Sequence, residues 1–120
     1  MSDYRGLKVY QKSYEMVLRI YQDVSCKVPA EERYGLIGQI KRAAVGVSLN
    51  IAEGYGRGMG DKETIRFLMM ARGSVNEVQV LLELLKDLGY LSQAEYQDCA
   101  GGYEEVGKML TGLKRTLTKD

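Results

Sequence analysis

The sequence has no histidine and no tryptophan, and it has one proline, one phenylalanine and two cysteines in 120 residues. Without histidine, the commonest metal ligand and the commonest general base are both missing. Cys26 and Cys99 are far apart and match no metal-ligand spacing, so we expect no metal and no cofactor. We expect both thiols to be small buried apolar groups. These features indicate that the protein is not an enzyme.

Long apolar runs are also missing from the chain. No segment approaches the roughly 18 apolar residues that a membrane span needs. The first residues, MSDYRGLKVYQKSYE, contain no apolar core of a signal peptide. We therefore expect a cytoplasmic protein with no membrane partner. A chain of 120 residues is long enough to form one domain around its own core.

The apolar residues recur at steps of three and four, which predicts helices and no strands. The predicted helices cover about residues 4–25, 30–53, 62–88 and 93–118. On the first helix the predicted apolar face consists of Leu7, Tyr10, Tyr14, Val17, Tyr21 and Val24. Because each helix has one apolar stripe and the connections are short, we predict an all-α fold, an up-down antiparallel four-helix bundle in a single domain spanning residues 1–120.

Local signals mark several helix ends. Gly54 and Gly89 are predicted to end the second and third helices, because glycine accepts the left-handed conformation that follows many helices. Ser92 and Glu95 match a capping box, S-x-x-E, at the start of the fourth helix. The stretch 54–60, GYGRGMG, is a predicted loop. It follows a helix, so its glycines do not match a dinucleotide-binding fingerprint.

The fourth predicted helix combines a regular apolar seam with glycines in its interior. These glycines are Gly101, Gly102, Gly107 and Gly112. Each costs about 0.5–1 kcal/mol relative to alanine in a helix interior, so packing must offset the loss. One hypothesis is that subunits make close contact across these positions.

The charge is segregated along the chain although the net charge is only +1. Residues 33–72 carry seven basic and three acidic groups, residues 73–105 carry one and seven, and residues 106–120 carry four and one. Such alternation predicts faces of opposite sign. Three interpretations are open: the faces attract a binding partner, they hold subunits together, or they are ordinary solvated surface.

Two sets of polar side chains are candidates for a binding surface. The candidate phosphate contacts are Arg33, Lys41, Arg42 and Arg57, all in the positive segment. A second set interrupts the apolar stripes of the second and third helices and consists of Gln39, Asn50, Glu53, Ser74 and Glu77. The second set is either a hydrogen-bonded network that fixes helix register or part of a ligand or nucleic-acid surface.

The second and third predicted helices resemble a known protein family. The matching blocks are VPAEERYGL at 28–36, QIKRAAV at 39–45, SLNIAEGYGR at 48–57, ARGSVNE at 71–77 and LGY at 88–90. They resemble bacterial four-helix bundle proteins first noted as reading frames within intervening sequences of the large-subunit ribosomal RNA gene. That family is related to the accessory variability proteins of diversity-generating retroelements. The resemblance implies a four-helix bundle that assembles into a homopentamer.

The resemblance also bears on function. The retroelement relatives bind nucleic acid and a reverse transcriptase through a basic surface. By analogy, we expect a non-enzymatic, oligomeric binding or scaffold protein that binds structured RNA or a ribonucleoprotein through a basic surface, with no small-molecule substrate. The alternative is a protein–protein adaptor without a nucleic-acid role. It would use the acidic segment 73–105 or the glycine-bearing face of the fourth helix.

Overall fold

The structure, a computed structural model, describes residues 3–56 and 61–118. Its four long helices are α1 (Lys8–Arg19), α2 (Gly38–Gly56), α3 (Asp61–Asp87) and α4 (Gln93–Thr118). Helices α1 and α3 each pack against both α2 and α4, so they occupy opposite corners of a four-helix bundle. The predicted fold class is confirmed. The bundle measures 47 × 22 × 20 Å, so its two ends are well separated.

The first two predicted helices are less regular than the sequence pattern indicates. Residue Leu7 is extended, with ψ of 131°, and separates a short turn from α1. Gly35 has φ of −105° and ψ of −107°, a non-helical conformation that places a kink before α2. Five short 3₁₀ or π-type turns flank the two helices: Tyr4–Gly6, Ile20–Val24, Ser25–Lys27, Ala30–Glu32 and Arg33–Ile37.

The core-facing side of α1 differs from the predicted apolar face. Tyr14 and Tyr21 are 52% and 45% exposed, although both were placed on the buried side by spacing. The buried seam instead runs through Val9, Ser13, Met16, Ile20 and Val24. The physical reason is that a tyrosine stripe and an aliphatic stripe lie side by side on this helix. The aliphatic stripe is buried, because tyrosine hydroxyls are more easily left in water.

The predicted end of the second helix at Gly54 is wrong. Helix α2 continues to Gly56, and Gly54 is a buried position inside it. Its missing side chain allows α3 to come close, since a Cβ atom there would lie 3.1 Å from Phe67 Cβ. The Thr64 hydroxyl donates a hydrogen bond of 2.9 Å to the Gly54 carbonyl oxygen. Gly54 is therefore a packing position and not a cap.

The two remaining end signals are confirmed. Gly89 has φ of 87°, and its N–H donates to the Lys86 carbonyl at 2.9 Å while the Tyr90 N–H donates to the Leu85 carbonyl. This pair of bonds is the Schellman arrangement that closes α3. At the start of α4, the Ser92 N–H donates to the Glu95 carboxylate at 2.8 Å, and the Glu95 N–H donates to the Ser92 hydroxyl at 3.1 Å.

The Glu95 carboxylate also connects α4 to the chain that follows α1. It forms an ion pair with Lys27. Two hydrogen bonds lower the pKa of Glu95 to about 2. The one from Lys27 has the largest effect, and the one from the Ser92 backbone has the next largest. The folded-state pKa is therefore below the ordinary glutamate value of 4.5. Any stability that this carboxylate contributes is present above pH 4.5 and is lost as the pH falls toward about 2.

Two of the α4 glycines are explained by contacts within the same chain. A Cβ atom at Gly102 would lie 2.5 Å from Met16 Sδ, and one at Gly107 would lie 3.1 Å from Arg72 Cζ. These positions admit a core methionine from α1 and an arginine from α3. Gly101 and Gly112 have no such neighbour within 4 Å in the described part of the chain. Contact between subunits is therefore not needed to account for Gly102 and Gly107.

A buried serine pair and a buried tyrosine hydroxyl differ in how their hydrogen-bonding capacity is satisfied. The hydroxyls of Ser13 and Ser48 are both buried and share a hydrogen bond of 2.9 Å, which joins α1 to α2. The Tyr103 side chain is 0% exposed, and within residues 3–56 and 61–118 its hydroxyl has no hydrogen-bond partner. Burial raises the pKa of Tyr103, so the phenol stays protonated.

The orphaned hydroxyl predicts that Tyr103→Phe stabilises the protein. An unsatisfied buried polar group costs about 1–3 kcal/mol, and phenylalanine keeps the ring in place without that cost. We expect the free energy of unfolding to rise by about 1 kcal/mol in chemical denaturation. Ser13→Ala is the contrasting variant, because it leaves the Ser48 hydroxyl without its partner and should destabilise. A loss of stability in Tyr103→Phe would mean that the hydroxyl has a partner.

The cysteine prediction is right for one residue and wrong for the other. Cys99 is buried, and desolvation raises the pKa of its thiol. Cys26 is exposed, because it lies in the Ser25–Lys27 turn after the π-type segment. Its thiol donates to the Gln22 carbonyl at 3.3 Å.

Candidate nucleic-acid interface

The predicted phosphate contacts do not form one cluster. Lys41 and Arg42 are neighbours on α2 but belong to different sides of the bundle. The Lys41 ammonium lies 4.5 Å from the centroid of the Tyr21 ring, toward α1. Arg42 is exposed and lines a groove toward α3. Arg33 is exposed in the turn before α2, and Arg57 lies outside the described residues.

Three residues of the second predicted set, Gln39, Ser74 and Glu77, line a groove between α2 and α3. This groove has a volume of about 390 Å³. Its lining consists of Gln39, Arg42, Ala43, Ser74, Glu77 and Leu81. Gln39 and Glu77 are exposed and Ser74 is half-buried, so these groups lie at the rim of the groove. The sequence therefore identified residues that lie together, while their role as a network or a binding surface stays a prediction.

The hydrogen bonds of α2 give the polar residues different partners. Asn50 is half-buried, and its amide donates to the Gly46 carbonyl of the same helix at 2.9 Å. Ser74 lies opposite Gly46, where a Cβ atom would be 3.1 Å from the Ser74 hydroxyl oxygen. Glu53 is exposed near the end of α2. Ser48, which was not among the five predicted network residues, makes a buried side-chain hydrogen bond from this helix to Ser13.

A second surface, between α3 and α4, collects more basic groups. We call it the basic face and define it as Arg66, Arg72, Lys108, Lys114 and Arg115, all of which are exposed. Because α3 and α4 are antiparallel neighbours, the first half of α3 lies beside the second half of α4. This arrangement brings together two positive stretches that are about 40 residues apart in the sequence.

The centre of the basic face is a groove of about 200 Å³. Leu68, Met69 and Leu110 form its apolar part, and Arg72, Thr111 and Lys114 complete its lining. The Arg72 guanidinium lies over Gly107, where the absence of a side chain leaves room for it. The glycine thus positions the guanidinium beside α4, close to the groove that Lys114 borders.

The charges of the basic face are largely uncompensated. In the described ranges, no carboxylate lies within ion-pairing distance of Arg72, Lys108, Lys114 or Arg115. Arg66 differs, because its Nε atom lies 2.5 Å from a Glu63 carboxylate oxygen. Lys114 and Arg115 also belong to the last turns of α4, where the helix dipole favours positive charge.

Sequence reasoning missed the basic face because it grouped charges by position along the chain. It recorded residues 106–120 as positive but assigned the candidate contacts to residues 33–57. The signal was available, since antiparallel packing of the third and fourth helices predicts that residues 61–72 lie beside residues 106–118.

The same surfaces show no arrangement that a metal site requires. In residues 3–56 and 61–118, no group of three or more cysteine, aspartate or glutamate side chains is placed to hold a metal ion. Within those ranges, no helix combines the length and the apolar character that crossing a membrane demands.

Comparison with known proteins places the chain in a family. The sequence model described as "23S rRNA-intervening sequence protein" matches residues 5–112. The chain belongs to this family. The match spans all of α1, α2 and α3 and most of α4, so it includes both grooves. The resemblance seen in the second and third helices is therefore confirmed.

A solved structure agrees with the family assignment. It is described as a protein of unknown function from the S23 ribosomal protein family of Bacteroides thetaiotaomicron, determined at 1.70 Å resolution. It is 25% identical to this chain, with a TM-score of 0.81, and the match covers 89% of this chain and 98% of that one. A search of curated proteins finds no match. The family and the fold are thus established, and the activity is a separate question.

Proposed function

We propose that this protein is a non-enzymatic, oligomeric RNA-binding protein that contacts structured RNA through the basic face. The observation that carries the proposal is that Arg72 and Lys114 line one groove between α3 and α4 and have no carboxylate partner among the described residues. Two further exposed cations without such a partner, Lys108 and Arg115, lie on the same half of α4. Phosphate groups are the ligands that such a surface favours, because the displaced counterions gain entropy.

The size of the basic face supports a role for self-assembly. Arg66 and Arg72 are six positions apart, which is about 9 Å along a helix, and α4 packs about 8–10 Å from α3. One copy therefore reaches only a few phosphates. Several copies bound to one RNA would raise the overall affinity through effective concentration. The homopentamer implied by the family resemblance provides such multiplicity.

The family description supports the choice of RNA as the partner. It links these proteins to intervening sequences of 23S rRNA. Structured RNA offers closely spaced phosphates, and double-stranded RNA is recognised mostly by shape and backbone contacts. The basic face suits that mode, since it presents cations but no exposed aromatic side chain on which an unstacked base would pack.

The test is a salt titration with a labelled hairpin from the large-subunit rRNA. Anisotropy of the hairpin is measured with the assembled protein between 50 and 200 mM salt. If about four phosphates are neutralised, affinity should fall roughly 50- to 150-fold over this range. A DNA duplex of the same length is the control for RNA preference. Absence of binding at 50 mM salt with micromolar protein would contradict the proposal.

One observation favours a second candidate, a protein–protein adaptor. Ten large apolar side chains are at least 40% exposed in the described part of the chain, and Tyr34 reaches 91%. Exposed apolar stripes commonly mark protein interfaces. This candidate becomes the working hypothesis if the RNA titration shows no binding.

A further inference from the structure

The groove at the centre of the basic face contains apolar side chains that RNA phosphates would leave uncovered. Its cations, Arg72 and Lys114, suit phosphate groups, but half of its lining consists of Leu68, Met69 and Leu110. The two leucines are 1% and 2% exposed and form the floor, while Met69 is 56% exposed and forms a wall. The proposed function therefore uses the charges of this groove and leaves its apolar part without a role.

The positions of the cations along the two helices place one at each end of the floor. On α3, Arg72 is one turn beyond Leu68, and its guanidinium lies over Gly107 of α4. On α4, Lys114 is one turn beyond Leu110 and two turns, or about 10 Å, beyond Gly107. Because the helices are antiparallel, these steps lead in opposite directions. The apolar floor therefore lies between the two cations.

Both positive charges are available to an anion in the groove. Within the described ranges, neither Arg72 nor Lys114 has a carboxylate within ion-pairing distance. The guanidinium is also held close to α4, since a Cβ atom at Gly107 would lie 3.1 Å from Arg72 Cζ and would displace it. A guanidinium fixed in this way presents its paired N–H groups to a carboxylate or a phosphate.

The volume of the groove limits the size of its occupant. It measures about 200 Å³, which is below the roughly 300–1,000 Å³ of sites that enclose drug-sized ligands. A short aliphatic chain or a single ring suits this space. The exposed wall is a methionine, and the flexible thioether of Met69 adapts to apolar groups of different shapes. The occupant that the groove favours is therefore a small molecule with an apolar body and an anionic group.

We propose that the groove between α3 and α4 binds a small organic anion. Its aliphatic or single-ring body lies on Leu68, Met69 and Leu110, and its carboxylate or phosphate pairs with the Arg72 guanidinium, with Lys114 adding a second positive charge. The two contacts reinforce each other, because an apolar body that displaces water strengthens the charge pair beside it. This site goes beyond the proposed function, since RNA phosphates need the cations alone.

The test titrates octanoate into the full-length protein without RNA and follows the isotope-labelled methyl groups of methionine by NMR. The Met69 signal should shift with single-site saturation, whereas the signal of Met16, which is fully buried, should stay unchanged. In the series butyrate, hexanoate and octanoate, affinity should rise by up to about fourfold for each methylene that is buried. Octylammonium has the same chain with the opposite charge and should not shift Met69.

Two pairs of exposed positions locate the site by calorimetry with octanoate. Arg72→Gln should weaken binding at least about tenfold, because a charge-assisted hydrogen bond is lost, and Arg42→Gln in the α2–α3 groove is its control. Met69→Gln should weaken binding about three- to tenfold, because it removes apolar contact area. Its control is Met70→Gln, a neighbouring exposed methionine that does not line the groove. Neither control should change the affinity.

Three results would each overturn the inference. The first is no saturable shift of Met69 at about 10 mM octanoate, because a ligand of this size that fills its site reaches low-millimolar affinity or better. The second is equal binding of octylammonium. The third is unchanged affinity in both Arg72→Gln and Met69→Gln.

The inference and the proposed function share two cations but fail separately. Octanoate binding without RNA binding would support the organic-anion site and contradict the RNA proposal. RNA binding without octanoate binding would overturn the organic-anion site and leave the RNA proposal in place. Each titration is carried out without the other ligand, so neither result depends on the other.

Discussion

Reversing two charges of the basic face, Arg72→Glu together with Lys114→Glu, is expected to weaken RNA binding about 100-fold at low salt. Each change removes a cation that faces phosphate and adds a repelling carboxylate. The dependence of log affinity on log salt should become shallower by about one for each lost phosphate contact. The measurement is the anisotropy titration of the rRNA hairpin, repeated at several salt concentrations.

The comparison variant for this experiment is Arg42→Glu. It reverses one exposed charge in the groove between α2 and α3, where the sequence predicted phosphate contacts. If RNA binds at the basic face, Arg42→Glu should change affinity only slightly. If Arg42→Glu abolishes binding while the double variant does not, the RNA interface follows the sequence prediction, and the basic face is not the contact surface. Helical content and oligomeric mass must match in all variants.

Replacing Gly54 with valine is expected to be the most destabilising single change described here, at about 2–3 kcal/mol. The new Cβ would lie 3.1 Å from Phe67 Cβ and 3.5 Å from the Thr64 backbone oxygen, and two further methyl groups need space that α3 occupies. Overpacking of a close helix contact forces backbone shifts. Thermal unfolding should show a melting temperature lower by about 10 °C.

The matched control is Gly101→Val on α4, where a Cβ atom has no neighbour within 4 Å in the described residues. Valine is a slightly better helix former than glycine, so stability should be unchanged or rise by a few tenths of a kcal/mol. Both variants are compared at one protein concentration, because assembly shifts the apparent melting temperature. Equal stability of the two variants would show that α2 and α3 are not in close contact at Gly54.

These two experiments test different properties of neighbouring regions. The double charge reversal changes exposed groups, so it should lower affinity and leave stability nearly unchanged. The Gly54 substitution changes a buried contact far from Arg72 and Lys114 in the sequence. Its main effect should therefore be a loss of stability and not a loss of RNA affinity. A variant that loses both properties would indicate that the RNA surface depends on the α2–α3 contact.

The resemblance in the second helix identified the family. Of the five predicted network residues, Gln39, Ser74 and Glu77 line the α2–α3 groove, and their role stays a prediction. The pattern did not show which of them are buried. Gln39, Glu53 and Glu77 are exposed, while Ser48, which spacing alone did not distinguish, is hydrogen-bonded to Ser13 in the core. Polar residues beside an apolar stripe carry the same local signal whether a neighbouring helix covers them or not.

The local sequence determined the helices and their ends, which depend on residues close together in the chain. The 3.6-residue periodicity gave four helices, and Gly89 with the Ser92–Glu95 pair marked the connection between α3 and α4, because caps are set by hydrogen bonds across a few residues. Only the tertiary structure decided the rest. Gly54 and Gly107 act through Phe67 and Arg72 of another helix, and the basic face exists because antiparallel packing joins two distant positive segments. Contacts between residues far apart in the chain depend on how whole helices pack, and no local pattern records that.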